Sequence, residues 1–331
     1  MNSPLVPFHR RRSASARHAA LGLLLLAQAL SCGHLAAVET VTVNALKVWS
    51  SVAYGGHEDY YFAAGIAVGP FGDVYVLRAW PGTVVSRVEQ FTFDGVFLRK
   101  WGAAGSSSGV FRRPTGIAVD LGTEDVYVVD ASQKLVEKFD RNGKFLKEWG
   151  RYGTGAGEFD DPTCIAVGPD HSIYVGDAVN NNVQKFDANG VFRTSWKLER
   201  GPGPGQNLPP RAIAVSPKNE VFVLGPPVSS SEKNLLRFNT TGHLLASWNT
   251  LTPDRSSVNP VAIAVNGLGA VVVADGNNPY LQVFNTTGRY EFAIAVNDAK
   301  GRFEIFRSLA FYHDDYLFCT NRLDSCKVKL F

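Results

Sequence analysis

The residues of this 331-residue chain that could do metal or acid–base chemistry are few. Past the first 37 residues there are four histidines, His57, His171, His243 and His313. Three aspartates, Asp130, Asp177 and Asp275, close the aliphatic runs VYVVD, IYVGD and VVVAD, with Asn180 and Asn277 just beyond two of them. Hard oxygen ligands of this kind suit calcium, whereas zinc needs about three converging nitrogen, oxygen or sulfur ligands and an open position. An aspartate that recurs with the pattern around it has a second use, accepting hydrogen bonds from nearby backbone N–H groups, and the recurrence favours that use. The chain has no G-x-S-x-G elbow, phosphate-binding loop or C-x-x-C pair.

These residues must be positioned by short strands. Ile-Ala-Val occurs at Ile66, Ile117, Ile165, Ile213 and Ile263, and a weaker Leu309-Ala310-Phe311 closes the series. The intervals are 51, 48, 48, 50 and 46 residues, the period of a repeat array. Each unit holds four apolar runs rich in Val, Ile and aromatics, separated by turn residues such as Gly-Pro-Asp-His and Asp-Ala-Asn-Gly. Helices do not fit between such breaks. Four short antiparallel strands per unit make a propeller blade, so the fold class is all-β. The last unit ends at Val328–Phe331 as a third strand would, and Leu46–Trp49 reads like the fourth strand Leu146–Trp149. The N-terminal strand is therefore expected to complete the last blade and leave no open edge.

The stretch GTGAGEFDDPTCIAV, then IYVGD, then NNNVQKFDANG and a Trp, resembles the NHL repeat, and GVFRRPTGIAVD with LVEKFDRNGKFLKEWG is nearly as close. The resemblance spans roughly residues 47–331 and implies a six-bladed β-propeller. It is similar in fold to secreted relatives that cleave peptidyl-α-hydroxyglycine with a histidine-held zinc. The register places His171, His243 and His313 in turns at the bottom of the blades and only His57 on top, so the histidine pattern of those lyases is expected to be missing. Intracellular relatives carry a RING and coiled coil before the propeller; here a leader is expected in that place, with no room for eight zinc ligands. Others bind RNA on a basic top face; here Glu58, Asp59, Glu158, Asp160 and Asp161 offset the arginines.

Residues 1–37 read as a targeting segment, with Arg10, Arg11, Arg12 and Arg17 ahead of the apolar run Ala19–Leu30. Export to the secretory lumen or the medium is expected; an uncleaved membrane anchor and a plastid leader are the alternatives. The formal net charge of +3 belongs to this segment, for without it the chain carries 29 basic and 30 acidic residues. That excludes a basic nucleic-acid binder, and no membrane span remains. Residues 38–331 form the propeller domain. Cys164 is expected as a buried thiol. Cys319 and Cys326 flank a hairpin and would staple the closing blade if oxidised; as thiols they would not. Asn239-Thr240-Thr241 and Asn285-Thr286-Thr287 are sequons in successive turns between third and fourth strands, where Asn and Gly also serve the turn itself.

The loop entering the first strand of a blade and the loop joining its second and third strands share one face, the top. Aromatics and arginines there compose a contact surface. The residues expected to touch a protein, peptide or glycan partner are His57, Tyr60, Trp80, Arg112, Phe159, Tyr280 and Arg322. No cofactor is needed for that role. The alternative is a lyase or hydrolase with a channel metal of the calcium type, drawing on Asp130, Asp177 and Asp275. Trp49, Trp101, Trp149, Trp196 and Trp248 recur whatever the loops contain and are expected to pack blade on blade.

Overall fold

The computed structural model describes residues 40–44, 47–50, 62–79, 86–199, 207–226, 233–250, 259–277, 280–297, 306–314, 316–321 and 327–330. Among them run 25 strands. Two come from the N-terminal side, β1 (Thr40–Asn44) and β2 (Lys47–Ser50). The first blade is β3 (Phe62–Val68), β4 (Val74–Ala79), β5 (Ser86–Phe91) and β6 (Phe97–Trp101). The second is β7 (Pro114–Val119), β8 (Val126–Asp130), β9 (Leu135–Phe139) and β10 (Phe145–Trp149). The third is β11 (Pro162–Val167), β12 (Ile173–Asp177), β13 (Asn182–Phe186) and β14 (Phe192–Lys197). The fourth is β15 (Ala212–Val215), β16 (Val221–Leu224), β17 (Leu235–Phe238) and β18 (Leu244–Trp248). The fifth is β19 (Pro260–Val265), β20 (Val271–Asp275), β21 (Tyr280–Phe284) and β22 (Tyr290–Asn297). Last come β23 (Phe306–Tyr312), β24 (Tyr316–Asn321) and β25 (Lys327–Leu330).

The chain is an all-β propeller of four-stranded antiparallel blades. β2 pairs antiparallel with β25, from Lys47 opposite Leu330 to Ser50 opposite Lys327. One feature departs from a uniform four-strand plan. β1 adds to the edge of the fifth sheet, parallel to β22, with Thr40 opposite Ala293 and Asn44 opposite Asn297. The N-terminal side thus feeds two neighbouring sheets.

Burial falls off from the axis outward. Second strands such as VYVVD and IYVGD are buried along their whole length, whereas the outer strand FLKEW is largely exposed. The second strands have both faces covered because each blade lies between two others. Hydrophobic clusters fill each gap: Leu77 and Val88 with Ile117 and Phe139, Val129 with Phe186, Tyr174 with Val221, Phe222 with Val271, Val283 with Leu317, and Phe318 with Val74. The last of these returns to the first blade, and β23 lies against β3. Burying an aromatic or branched aliphatic side chain contributes roughly 1.5–3 kcal/mol, so the six layers together supply the main drive to fold.

The outer-strand tryptophans clamp neighbouring blades. Trp149 lies under the turn of the next blade at Gly190, whose φ is +73°. A Cβ on Gly190 would come within 2.5 Å of the indole, so only glycine permits both the turn and the contact. Trp101 meets Gly143, Trp196 meets Gly242 and Trp248 meets Gly288 in the same way. These tryptophans pack blade on blade. Among the described residues no helix is long and apolar enough to cross a membrane. Residues 1–37 lie outside the described residues.

Candidate functional site

The candidate site is the central channel and the loops around its ends. First-strand residues Ile66, Ile117, Ile165, Ile213, Ile263 and Leu309 line two cavities, one on either side of them. They form an apolar belt between a top mouth and a bottom mouth. The Ile of the Ile-Ala-Val signature is therefore the residue that narrows the channel.

The top cavity is small, about 100 Å³, and polar side chains stitch its wall. Two positions before the belt stand Thr115, Thr163 and Arg211. Thr115 Oγ1 donates to Pro162 O (2.9 Å), Thr163 Oγ1 to Pro210 O (2.6 Å) and Arg211 Nη1 to Asn259 Oδ1 (2.6 Å). Each reaches one blade onward around the axis. Ile66 N donates to Ser308 Oγ across the first and last sheets (3.1 Å).

The aspartates after the second strands hold the top loops. Asp130, fully buried, accepts from Arg112 N (2.6 Å), Arg113 N, Ser132 N and Gln133 N (2.9 Å each for the last two). Asp177, equally buried, accepts from Asp160 N (2.7 Å), Asp161 N (3.1 Å), Val179 N (3.1 Å) and Asn180 N (2.9 Å). Asp275 accepts from Asn259 N and Asn277 N. Asn180, itself buried, donates Nδ2 to Asp177 and to Gly153 O. A calcium ion on these residues would have to displace backbone donors, so the donor set does not fit a calcium site. Among the described residues no group of three or more His, Cys, Asp or Glu could hold a metal ion.

Phe159 is not a contact residue. It is fully buried, in the cluster with Val136, Ile173 and Phe186. Its loop folds back so that the ring plugs the gap between blades against Gly150, and Phe111 does the same at Gly102. Arg112 is exposed, and among the described residues its guanidinium has no hydrogen-bond or ion-pair partner. Tyr280 opens β21, 37% exposed. Two residues not singled out in the sequence join them on top: Tyr152 (71% exposed), in the loop before β11, and Val179 (62%), between β12 and β13. Arg113 pairs with Asp161, and Lys134 with Asp160, so the second blade's cations meet the third blade's acids. His57, Tyr60, Trp80 and Arg322 lie outside the described residues.

At the bottom mouth, in the turns where the register places them, His171 and His313 both line the lower cavity. The reason is geometric, since every turn between a first and a second strand meets the axis. His171 Nδ1 is 2.9 Å from both Asp120 carboxylate oxygens, and Asp120 Oδ1 also accepts from Gly122 N (2.8 Å). His171 has a φ of +60°, at the turn position filled elsewhere by Gly72, Asn219 and Gly269, and His313 has a φ of +52° where it opens the turn after β23. Their backbone is turn chemistry tolerated by His and Asn. His243 lies outside this cavity, in a turn between third and fourth strands.

Cys164 is buried, and burial pushes its thiol up to about 12, so it is no nucleophile at neutral pH. Cys319 is buried on β24; Cys326 lies outside the described residues. At the sequons the asparagine amides do turn work. Asn239 Oδ1 accepts from Thr241 Oγ1 (2.8 Å) and His243 N (2.9 Å), and Asn285 Oδ1 from Thr287 Oγ1 (2.7 Å) and Arg289 N (3.1 Å). Asp187 does the same for Asn189 N and Val191 N. Only the oxygen is used; among the described residues neither Nδ2, the atom a glycan would take, has a partner.

Comparison with family models matches the NHL repeat at residues 159–186. No curated protein matches the chain. Among solved structures it is similar to virginiamycin B lyase from Staphylococcus aureus (12% identity, TM-score 0.57, 86% of this chain and 98% of that one). It is also similar to a streptogramin B lyase (13%, 0.59, 86% and 96%) and to a gluconolactonase, XC5397, from Xanthomonas campestris (16%, 0.59, 83% and 87%). At such identities the likeness is one of fold. The chain is a β-propeller with an NHL repeat in its third blade.

Proposed function

We propose that the chain is a secreted six-bladed propeller, its ring sealed by the N-terminal strand, that binds a protein, peptide or glycan partner with its top-face loops. One observation carries this reading. The buried Asp130 and Asp177 carboxylates are spent on fixing loops, and the loops so fixed display Arg112, Tyr152 and Val179 to solvent. Tyr and Arg on rigid loops are what partner-binding hot spots are made of, and ordering such loops in advance lowers the cost of association. Tyr280 extends the same face. The sequons Asn239 and Asn285 sit in turns at the opposite end of the blades, so glycans there leave the top open; their release as mass-shifted peptides after glycosidase treatment of secreted protein checks both export and modification.

The top-face reading is tested by placing a photo-crosslinking residue at Tyr152 or, on the bottom, at Leu268, in protein exposed to its native medium. A discrete adduct is expected from position 152 and not from 268. Adducts from 268 alone, or equally from both, overturn it.

A further inference from the structure

The lower half of the channel has no part in the top-face reading, yet it is the larger cavity, about 720 Å³. That is the size of a small-molecule pocket, and such pockets are apolar with a few placed polar groups. Its wall is the lower part of the inner strands, Ile, Ala and Val in five of them and Leu309, Ala310 and Phe311 in the last, ending in Pro169 and Pro217 at the rim. Its polar side chains are carboxylates, imidazoles, the Asn266 amide and the Tyr312 phenol. Asp120 and Asp314 line it with His171 and His313, and its described lining contains no lysine or arginine. Asp120 is 1% exposed and occupied by His171 and two backbone amides. Asp314 is exposed; its Oδ1 accepts from Gly267 N (2.5 Å), and among the described residues its Oδ2 has no partner. Beside it Tyr312, half-buried against Phe93, borders the mouth with its ring 4.2 Å from that of His313.

We propose that the bottom mouth binds an amphipathic organic cation, an amine or quaternary ammonium with an alkyl or aryl body. The body enters the channel as far as the belt. The cationic head stays at the rim with the Asp314 carboxylate, and Tyr312 adds a π face. The field of two carboxylates over low-dielectric walls favours a cation and opposes a fatty acid of the same length. Leu121 at the rim, 64% exposed, extends the apolar wall to solvent.

The test is calorimetric titration of the full chain with octyltrimethylammonium, octanoate and octanol at neutral pH. The cation is expected to bind saturably, one per chain, and octanoate about tenfold or more weakly, as one partly desolvated charge contact implies. Asp314→Asn should weaken the cation about tenfold and leave octanol unchanged. Leu121→Lys, at an exposed position that does not threaten folding, should abolish cation binding. Equal affinity for octanoate, an unaffected Asp314→Asn variant, or no saturable cation binding would each overturn the proposal. Crosslinking at Tyr152 reports on the other face, so the two proposals fail separately.

Discussion

The second and third blades are close copies, and one of their buried differences is a single side-chain atom, the carboxyl oxygen of Glu137 where Gln184 has its amide nitrogen. Both begin at a proline, Pro114 or Pro162, and both use an aspartate, Asp130 or Asp177, to hold the entry loop. On β9 and β13 the copies part. Gln184 closes two hydrogen bonds to its entry loop, Oε1 accepting from Gly157 N (2.9 Å) and Nε2 donating to Glu158 O (2.6 Å). Glu137 closes only the first, Oε1 accepting from Gly109 N (2.7 Å), and its Oε2 is buried without a partner. Burial pushes its carboxyl up to about 8, with Asp130 and Glu148 adding to the shift and Gly109 opposing it. A carboxyl pushed that high keeps its proton further toward neutral pH than an exposed glutamate, and its Oε2 has no partner where the glutamine Nε2 finds Glu158 O. A repeat position can therefore be kept by shape while its proton inventory changes.

The largest effect should appear where the blades agree. Asp130→Ala or Asp177→Ala strands several buried N–H groups at once. Each should cost on the order of 3–5 kcal/mol, as loss of a buried hydrogen-bonded charge does. Denaturant unfolding of the two variants should give losses within about 1 kcal/mol of each other. A loss confined to one blade would break the equivalence on which the comparison rests.

The blades were legible in the sequence because Ile-Ala-Val, the closing Trp and the turn glycines all repeat near one period. The site was less so. Phe159 reads as a top-loop aromatic, yet Phe111 stands 48 residues before it in the same frame. An aromatic that recurs whatever surrounds it is packing, the logic that placed the tryptophans. His171 and His313 are three blades apart in the chain, and only the ring geometry brings both to one mouth. The parallel pairing of β1 with β22 has no repeat to announce it, since it occurs once. Tyr152 and Val179 sit in loops of variable content, where periodicity says nothing about exposure.

Glu137→Gln sharpens the contrast directly. The folded-state value is raised above the ordinary value of 4.5, so the native chain binds the extra proton. Stability from this site is full below about pH 4.5 and is lost as pH rises through about 8. Glu137→Gln should therefore be near neutral at pH 4.5. It should stabilise by about 2 kcal/mol at pH 8.5, less than the full shift would imply because water and relaxation soften buried charges. The reciprocal Gln184→Glu should create the same pH dependence in the third blade. Thermal melts across that range check both, and parallel pH profiles for the wild type and Glu137→Gln would show that Glu137 ionises without cost.

The smallest effect lies at the seam between the two blades. Arg113 Nη2 meets Asp161 Oδ1 with the arginine side chain 45% exposed and the aspartate 30%. Solvent screening and the entropy of holding a long side chain leave such pairs about 0–1 kcal/mol. The loop does not depend on the pair, because Asp130 and Asp177 already fix both backbones. Arg113→Ala should thus cost less than about 0.5 kcal/mol, and the difference should vanish in 1 M salt, where the Debye length is about 3 Å. A loss approaching that of Asp177→Ala would mean that charge, and not the buried carboxylates, registers one blade against the next.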